Sequence, residues 1–360
     1  MIDIKKLNLS KNPFEDLTPN IGETLVWAGL QTQKEDITNV YKSAFASQAK
    51  RLILNWGPIG GGKTHAAYYF GNNIIEGIEK SNCSHIYIRL PREQDPIRTF
   101  VIRIVEYLLS NKILDNIHDL IVSNDKKYLE SEISKYTTES STISTFLSLF
   151  SYNTTDIIKL FINNTITAAQ RTKYGIIKPL KTDEDCIAFL TVLLVTLSLD
   201  EKKRIFLWID EMENMIFYPS KKMTVFAQML RDVTDTVSRR MVTFLNFTLS
   251  ETDEDTVKLL IGSFLWARVT KKIRFKDLDR TEAKLYTTDL INSAIIDKNK
   301  IDLPLSQDII EKVVENIPFT DLIPREINRR FSAVLDYCLL KDISIIDMET
   351  VNKALQDLDS

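Results

Sequence analysis

A parallel-sheet α/β fold with a long helical insertion and an all-helical C-terminal domain is predicted by three stretches of this 360-residue chain. The first is Gly57-Pro58-Ile59-Gly60-Gly61-Gly62-Lys63-Thr64, set between the apolar run Arg51 to Trp56 and a helical run from His65. It reads as strand, glycine-rich loop, helix. The second is Arg204-Ile-Phe-Leu-Trp-Ile209 closed by Asp210-Glu211, a continuous apolar strand of the kind that lies at the centre of a parallel sheet. The third is the chain after Thr281, where only helical apolar spacing recurs.

Composition sets the outer limits. With 44% apolar and 26% charged residues, the chain is expected to be soluble and globular, large enough for a nucleotide-sized core and a smaller second domain. No apolar run reaches the 18 or more residues of a membrane span, and the longest, Ile187 to Leu199, is too short. The start, Met1-Ile-Asp-Ile-Lys-Lys6, lacks a signal-peptide apolar core, so a cytoplasmic protein without membrane association is expected. Cys83, Cys186 and Cys338 have neither disulfide nor zinc-ligand spacing, and three scattered histidines give a metal hydrolase little material. A formal charge of −3 argues against a chain coated in positive potential.

Residues 1–50 form an N-terminal segment with Asn12-Pro13-Phe14, an apolar patch from Leu25 to Leu30, and a helix from about Thr32 to Gln48. Trp27 and Leu30 offer either apolar walls for an adenine or packing for the first helix. Residues 51–280 form the core. After the loop, a helix is expected from His65 to about Lys80, and a strand from His85 to Leu90 stops at Pro91. Residues 96–200 are mostly helical and too long for a connector, so they are expected to form an inserted helical subdomain. A helix at Lys222 to Ser238, a strand at Met241 to Ser250, a helix at Glu251 to Leu265 and a strand at Lys271 to Phe275 follow. Residues 281–360 hold four helices, about Arg280 to Ile296, Ser306 to Asn316, Pro324 to Lys341 and Asp347 to Asp357.

The glycine-rich stretch has the chemistry of a phosphate cradle. Four of the chain's ten glycines sit there, where a backbone must wrap a polyphosphate with its N–H groups. Gly57, Pro58, Ile59, Gly60, Gly61, Gly62, Lys63, Thr64 and His65 are the expected ATP-binding residues. Lys63 would reach the β- and γ-phosphates, and the helix start aims its dipole at the same anion. Thr64 and Asp210 would hold Mg²⁺, while Glu211 would polarise the attacking water. The strand tip after Asp210-Glu211 can present a polar side chain to the γ-phosphate. Thr248 and Ser250 are the candidates, with Asn246 in reserve; Glu213 and Asn214 read as helix-start and packing residues.

This set of motifs resembles an AAA+ ATPase, and within that class the initiator clade, similar to the origin-recognition and bacterial ORC-like ATPases. The resemblance covers about residues 12–95 and 200–357. It implies that Arg268, in Phe264-Leu-Trp-Ala-Arg268, is an arginine finger pointing into a neighbour's site. It also implies that Arg325, opening Pro324-Arg-Glu-Ile-Asn-Arg-Arg330, is the lid residue that touches the γ-phosphate. Arginine suits both posts because it stays charged and forks onto phosphate oxygens. The helical insertion is much longer than in a simple member of the class, and the chain is expected to lack the winged-helix DNA-binding domain that replication initiators carry. The implied function is an ATP-hydrolysing switch whose homo- or hetero-oligomeric assembly loads, remodels or licenses a partner, with DNA as a further partner. The alternative is a nucleotide-gated binding or signalling module in a bacterial defence or mobile-element complex, with slow or no turnover.

Overall fold

The computed structural model describes residues 3–15, 25–47, 51–73, 75–93, 95–152, 154–237, 240–249, 254–298 and 304–359. Five strands, β1 (Arg51–Gly57), β2 (Cys83–Arg89), β3 (Arg204–Asp210), β4 (Met241–Thr248) and β5 (Val269–Arg274), form one sheet in the order β2-β3-β4-β1-β5. Every pairing is parallel. The β1, β3 and β4 strands are buried along nearly their whole length, as their unbroken apolar runs require, whereas β5 at the edge alternates between exposed residues and the half-buried or buried Val269, Lys271 and Ile273. Gly57 lies beside Thr248 and Arg89 beside Asp210, so the strand tips bearing the motifs end on one sheet edge.

One face of the sheet is covered by α1 (Gln31–Ala46) and α2 (Lys63–Asn72). There Tyr41 stacks on Phe206 and Trp208 on Phe244, both with ring centroids 3.8 Å apart, and Trp208 Nε1 donates to the Tyr41 hydroxyl at 3.1 Å. The α2 helix stops well short of the expected Lys80. Gly71, Asn72 and Asn73 are poor helix formers, and the Asn73 side chain instead accepts from Leu25 N and donates to Leu25 O.

Among the described residues between β2 and β3 run seven helices: α3 (Pro96–Ser110), α4 (Ile113–Ser123), α5 (Lys126–Ser134), α6 (Ser140–Ser151), α7 (Thr155–Ile162), α8 (Ala168–Lys173) and α9 (Asp183–Leu197). Their apolar side chains form one core with Leu52, Leu54, Ile86 and Ile205 of the sheet's second face. The α9 helix shows why the inserted region is anchored there. Its residues Val192 to Leu197 are all buried, and a helix apolar on every side must be covered on every side. It is enclosed by α3, α6 and the following α10 (Ser220–Thr236). The α11 helix (Glu254–Trp266) is broken at Gly262, whose φ is +76°.

The C-terminal region consists of α12 (Arg280–Ala294), α13 (Gln307–Glu315), α14 (Pro324–Lys341) and α15 (Met348–Asp359), close to the four helices expected. Pro324 sits in the first turn of α14, where its missing N–H costs nothing. Residues 3–15 pack on these helices. Leu9 bridges Ile295, Phe14 stacks on Phe331 at 5.2 Å, and Asn12 Nδ2 donates to Ser332 Oγ at 3.0 Å. No described helix is long and apolar enough to cross a membrane.

Candidate functional site

The loop after β1 folds as its glycines demand. A Cβ on Gly57 would lie 1.9 Å from the carbonyl oxygen of Phe275, and Gly60 holds φ at +79°, a region that side-chain-bearing residues avoid. Lys63 opens α2 and is only 4% exposed. Its Nζ donates to the carbonyls of Gly57 and Pro58 at 2.8 and 2.7 Å, across the mouth of the loop. Burial lowers its pKa to about 8, against the opposing pull of Asp210 and Glu213.

Asp210, at the tip of β3, gathers three donors. Its Oδ2 accepts from Thr64 Oγ1 at 2.6 Å and from the Tyr87 hydroxyl at 2.8 Å, and its Oδ1 accepts from Glu211 N at 3.0 Å. Glu211 adopts left-handed backbone angles (φ 58°, ψ 39°), a conformation that costs energy in a glutamate and that turns the chain away from the strand. Its Oε2 accepts from Asn214 Nδ2 at 3.2 Å, and Asn214 Oδ1 in turn accepts from Arg92 Nε at 2.9 Å.

Lys63, Thr64, Arg92, Asp210 and Glu211 line one cleft of about 900 Å³, bounded by the loop, the tips of β3 and β4, and helices α12 and α14. Arg325, in the first turn of α14, lines it too, and its backbone N–H donates to Gly60 O at 3.3 Å. Trp27, Leu30 and Tyr286 also line the cleft. Trp27 also packs edge-on against Tyr69 and Phe70, so it is at once a cleft wall and a packing residue. His65 lies beside it, its imidazole held neutral by burial with a pKa near 4.

Thr248 lines the cleft, and its backbone N–H donates to Glu213 Oε2 at 2.9 Å. Asn246 is fully buried within the sheet, where its Oδ1 accepts from Asn55 Nδ2 at 2.9 Å. Ser250 lies outside the described residues. Arg268 stands apart from the cleft. It precedes β5, whose Val269 pairs with Leu52 near the start of β1, at the opposite edge of the sheet from the loop. Its guanidinium holds Asp235 of α10, with Nη2 at 2.7 Å and Nε at 3.0 Å.

Several cleft residues have no sequence signature. Arg89 enters because β2 is the neighbour of β3, a pairing that strand patterns do not reveal, and the same pairing sets the buried Tyr87 hydroxyl on Asp210. Glu213 lines the cleft rather than serving only at a helix start, and burial raises its carboxyl pKa. Its position two residues beyond Glu211 was the one available signal.

The donor set fits a triphosphate with its cation. Thr64 and Asp210 offer hard oxygen donors close together, the kind magnesium takes, beside a cradle of backbone N–H groups with Lys63 and Arg325. Bound magnesium would supply charge neutralisation across the phosphate oxygens.

The strand order, the motifs at the strand tips and the helical lid define an AAA+ architecture. Within that class the fold is ORC-like. The chain superposes on the Aeropyrum pernix ORC2 protein, solved as ADPNP and ADP complexes, with a TM-score of 0.58 at 11% identity, over 96% of this chain and 71% of that one. Drosophila ORC bound to DNA gives 0.55 at 11% identity, over 99% and 66%. Cdc6p from Pyrobaculum aerophilum gives 0.54 at 12%, over 99% and 71%. The chain thus spans about two thirds of the length of these proteins. No family model and no curated protein matches the sequence.

Proposed function

We propose that the chain is a cytoplasmic AAA+ ATPase in which ATP occupancy of the cleft switches assembly with neighbouring subunits, and hydrolysis resets it. The observation carrying this reading is the convergence of Lys63, Thr64, Asp210, Glu211 and Arg325 on one cleft. In the proposed mechanism Lys63 and Arg325 hold the phosphates, Thr64 and Asp210 hold magnesium, and Glu211 accepts the proton of the attacking water. Arg268 would leave Asp235 to complete the site of an adjacent subunit. The nucleotides in the A. pernix ORC2 complexes support the choice of ligand.

The proposed output is loading, remodelling or licensing of a partner on DNA, a platform suggested by the DNA in the Drosophila ORC structure. Of the basic residues along the chain, Lys222, Arg240, Lys271 and Lys272 each hold a carboxylate. A nucleotide-gated binding module is the second reading, favoured by Tyr128, Tyr136 and Tyr152, exposed on or beside the inserted helices. Partner capture that persists without turnover would select it.

The decisive experiment is uptake of labelled ATP with magnesium. Wild type should bind and hydrolyse, Lys63→Ala should lose binding, and Glu211→Gln should bind without turnover and assemble into larger species by light scattering. No uptake by wild type, or equal uptake by Lys63→Ala, overturns the proposal. A Glu211→Gln protein that stays monomeric with ATP removes the subunit-bridging step.

A further inference from the structure

We infer that Tyr87 is a positioning residue for the cation site, acting through Asp210; the inference rests on the nucleotide reading above. Asp210 is 2% exposed, and its Oδ2 is shared between the Thr64 and Tyr87 hydroxyls. These two donors differ in what they can do next. Thr64 is a direct ligand in the proposed site and must turn its hydroxyl oxygen toward the cation. Tyr87 is fixed. It is buried in the core that covers α1 and α2, its ring packs against Tyr68 with centroids 4.6 Å apart, and its single hydroxyl proton is committed to Asp210.

On its other side the Tyr87 oxygen accepts from Arg89 Nε at 3.3 Å. A cationic donor on the phenol oxygen polarises its O–H toward the carboxylate and strengthens the bond to Asp210. The torsion that turns a carboxylate about its own axis is broad and soft, so an aspartate needs an outside partner to present a chosen oxygen. Tyr87 supplies it on Oδ2, and the Glu211 N–H supplies a second on Oδ1. The lone pair directions that remain are those facing Thr64 and the cleft. Replacing a mobile water by a buried phenol at this point means that the carboxylate does not reorient when the cation arrives. Outer-shell partners of this kind typically set metal affinity by 10–100-fold.

The test is magnesium titration of labelled ADP binding, with manganese binding to the ADP complex read independently by electron paramagnetic resonance. Tyr87→Phe removes one oxygen and keeps the ring. It should raise the half-saturating metal concentration by about tenfold or more while leaving metal-free ADP binding within about twofold. Arg89→Gln, on a partly exposed side chain, should shift the ratio of metal-bound to metal-free affinity in the same direction, by less. An unchanged titration in both Tyr87→Phe and Arg89→Gln overturns the inference and leaves the nucleotide reading intact. Equal loss of metal-free and metal-dependent binding in Tyr87→Phe also overturns it, because the tyrosine is then only a packing residue. Wild type showing no metal-dependent binding refutes the nucleotide reading itself, and the inference with it.

Discussion

Gly60→Ala tests how the lid is seated on the glycine-rich loop. The added methyl group would stand 2.6 Å from Cβ and 3.2 Å from Cδ of Arg325, and the residue would have to keep φ near +79°. The two costs can be separated because Gly77 has almost the same φ, +80°, with nothing within 4 Å of a Cβ. Gly77→Ala therefore carries only the left-handed backbone penalty, about 1–2 kcal/mol. Gly60→Ala carries that penalty and must also displace the first turn of α14, since a Cβ cannot swing aside as a side-chain end can. Overpacking of this kind adds about 1–3 kcal/mol. Urea unfolding without nucleotide should rank Gly60→Ala below Gly77→Ala by that difference. Labelled ATP should bind Gly60→Ala at least about tenfold more weakly, equivalent to about 1.4 kcal/mol, and bind Gly77→Ala normally. Equal stability of the two variants together with near-normal ATP affinity of Gly60→Ala would refute the argument that Arg325 is docked on the loop.

Other outcomes follow from the same geometry. Glu213→Ala deprives the Thr248 N–H of its acceptor; it should cost about 1–3 kcal/mol in urea unfolding and slow ATP hydrolysis more than it weakens ATP binding. Arg268→Ala breaks a half-buried surface ion pair, so its unfolding free energy should fall by about 1 kcal/mol or less and its ATP affinity should be unaffected, while turnover in the assembled state drops sharply. His85 gives a pH signature. Burial lowers its pKa to about 4 from the ordinary 6.5, so between those values the unfolded chain binds a proton that the folded chain refuses. The stability this group contributes is complete above about pH 6.5 and falls on acidification, by about 2 kcal/mol at pH 5. In His85→Gln, urea midpoints compared at pH 7 and pH 5 should show an acid loss smaller by that amount; an identical loss would clear His85 of the effect.

How much was legible beforehand depended on whether the signal was local. The glycine spacing from Gly57 to Thr64 reports a backbone that only glycine tolerates, and Asp210-Glu211 after an unbroken apolar run reports a buried strand ending at the edge that carries the cleft. Neither needs a distant neighbour to be read. The four C-terminal helices were legible for the same reason, since helical spacing and end signals such as Pro324 are written within a dozen residues. Tyr87 and Glu213 were not legible, because each matters through a partner 123 or 35 residues away. A strand's alternation says which side chains share a face, but not which strand lies alongside. Only the placement of β2 against β3 put the Tyr87 hydroxyl on Asp210. Likewise, helical spacing between residues 96 and 200 predicted helices, while the merging of their core with the sheet's second face depended on burial of α9 from every side. The sequence by itself determined the chemistry of the cradle and the acidic tip, because backbone sterics and charge are local properties. The tertiary structure alone decided which polar groups hold those residues in place, because hydrogen bonds across strands depend on strand order, and strand order is a property of the whole packed chain.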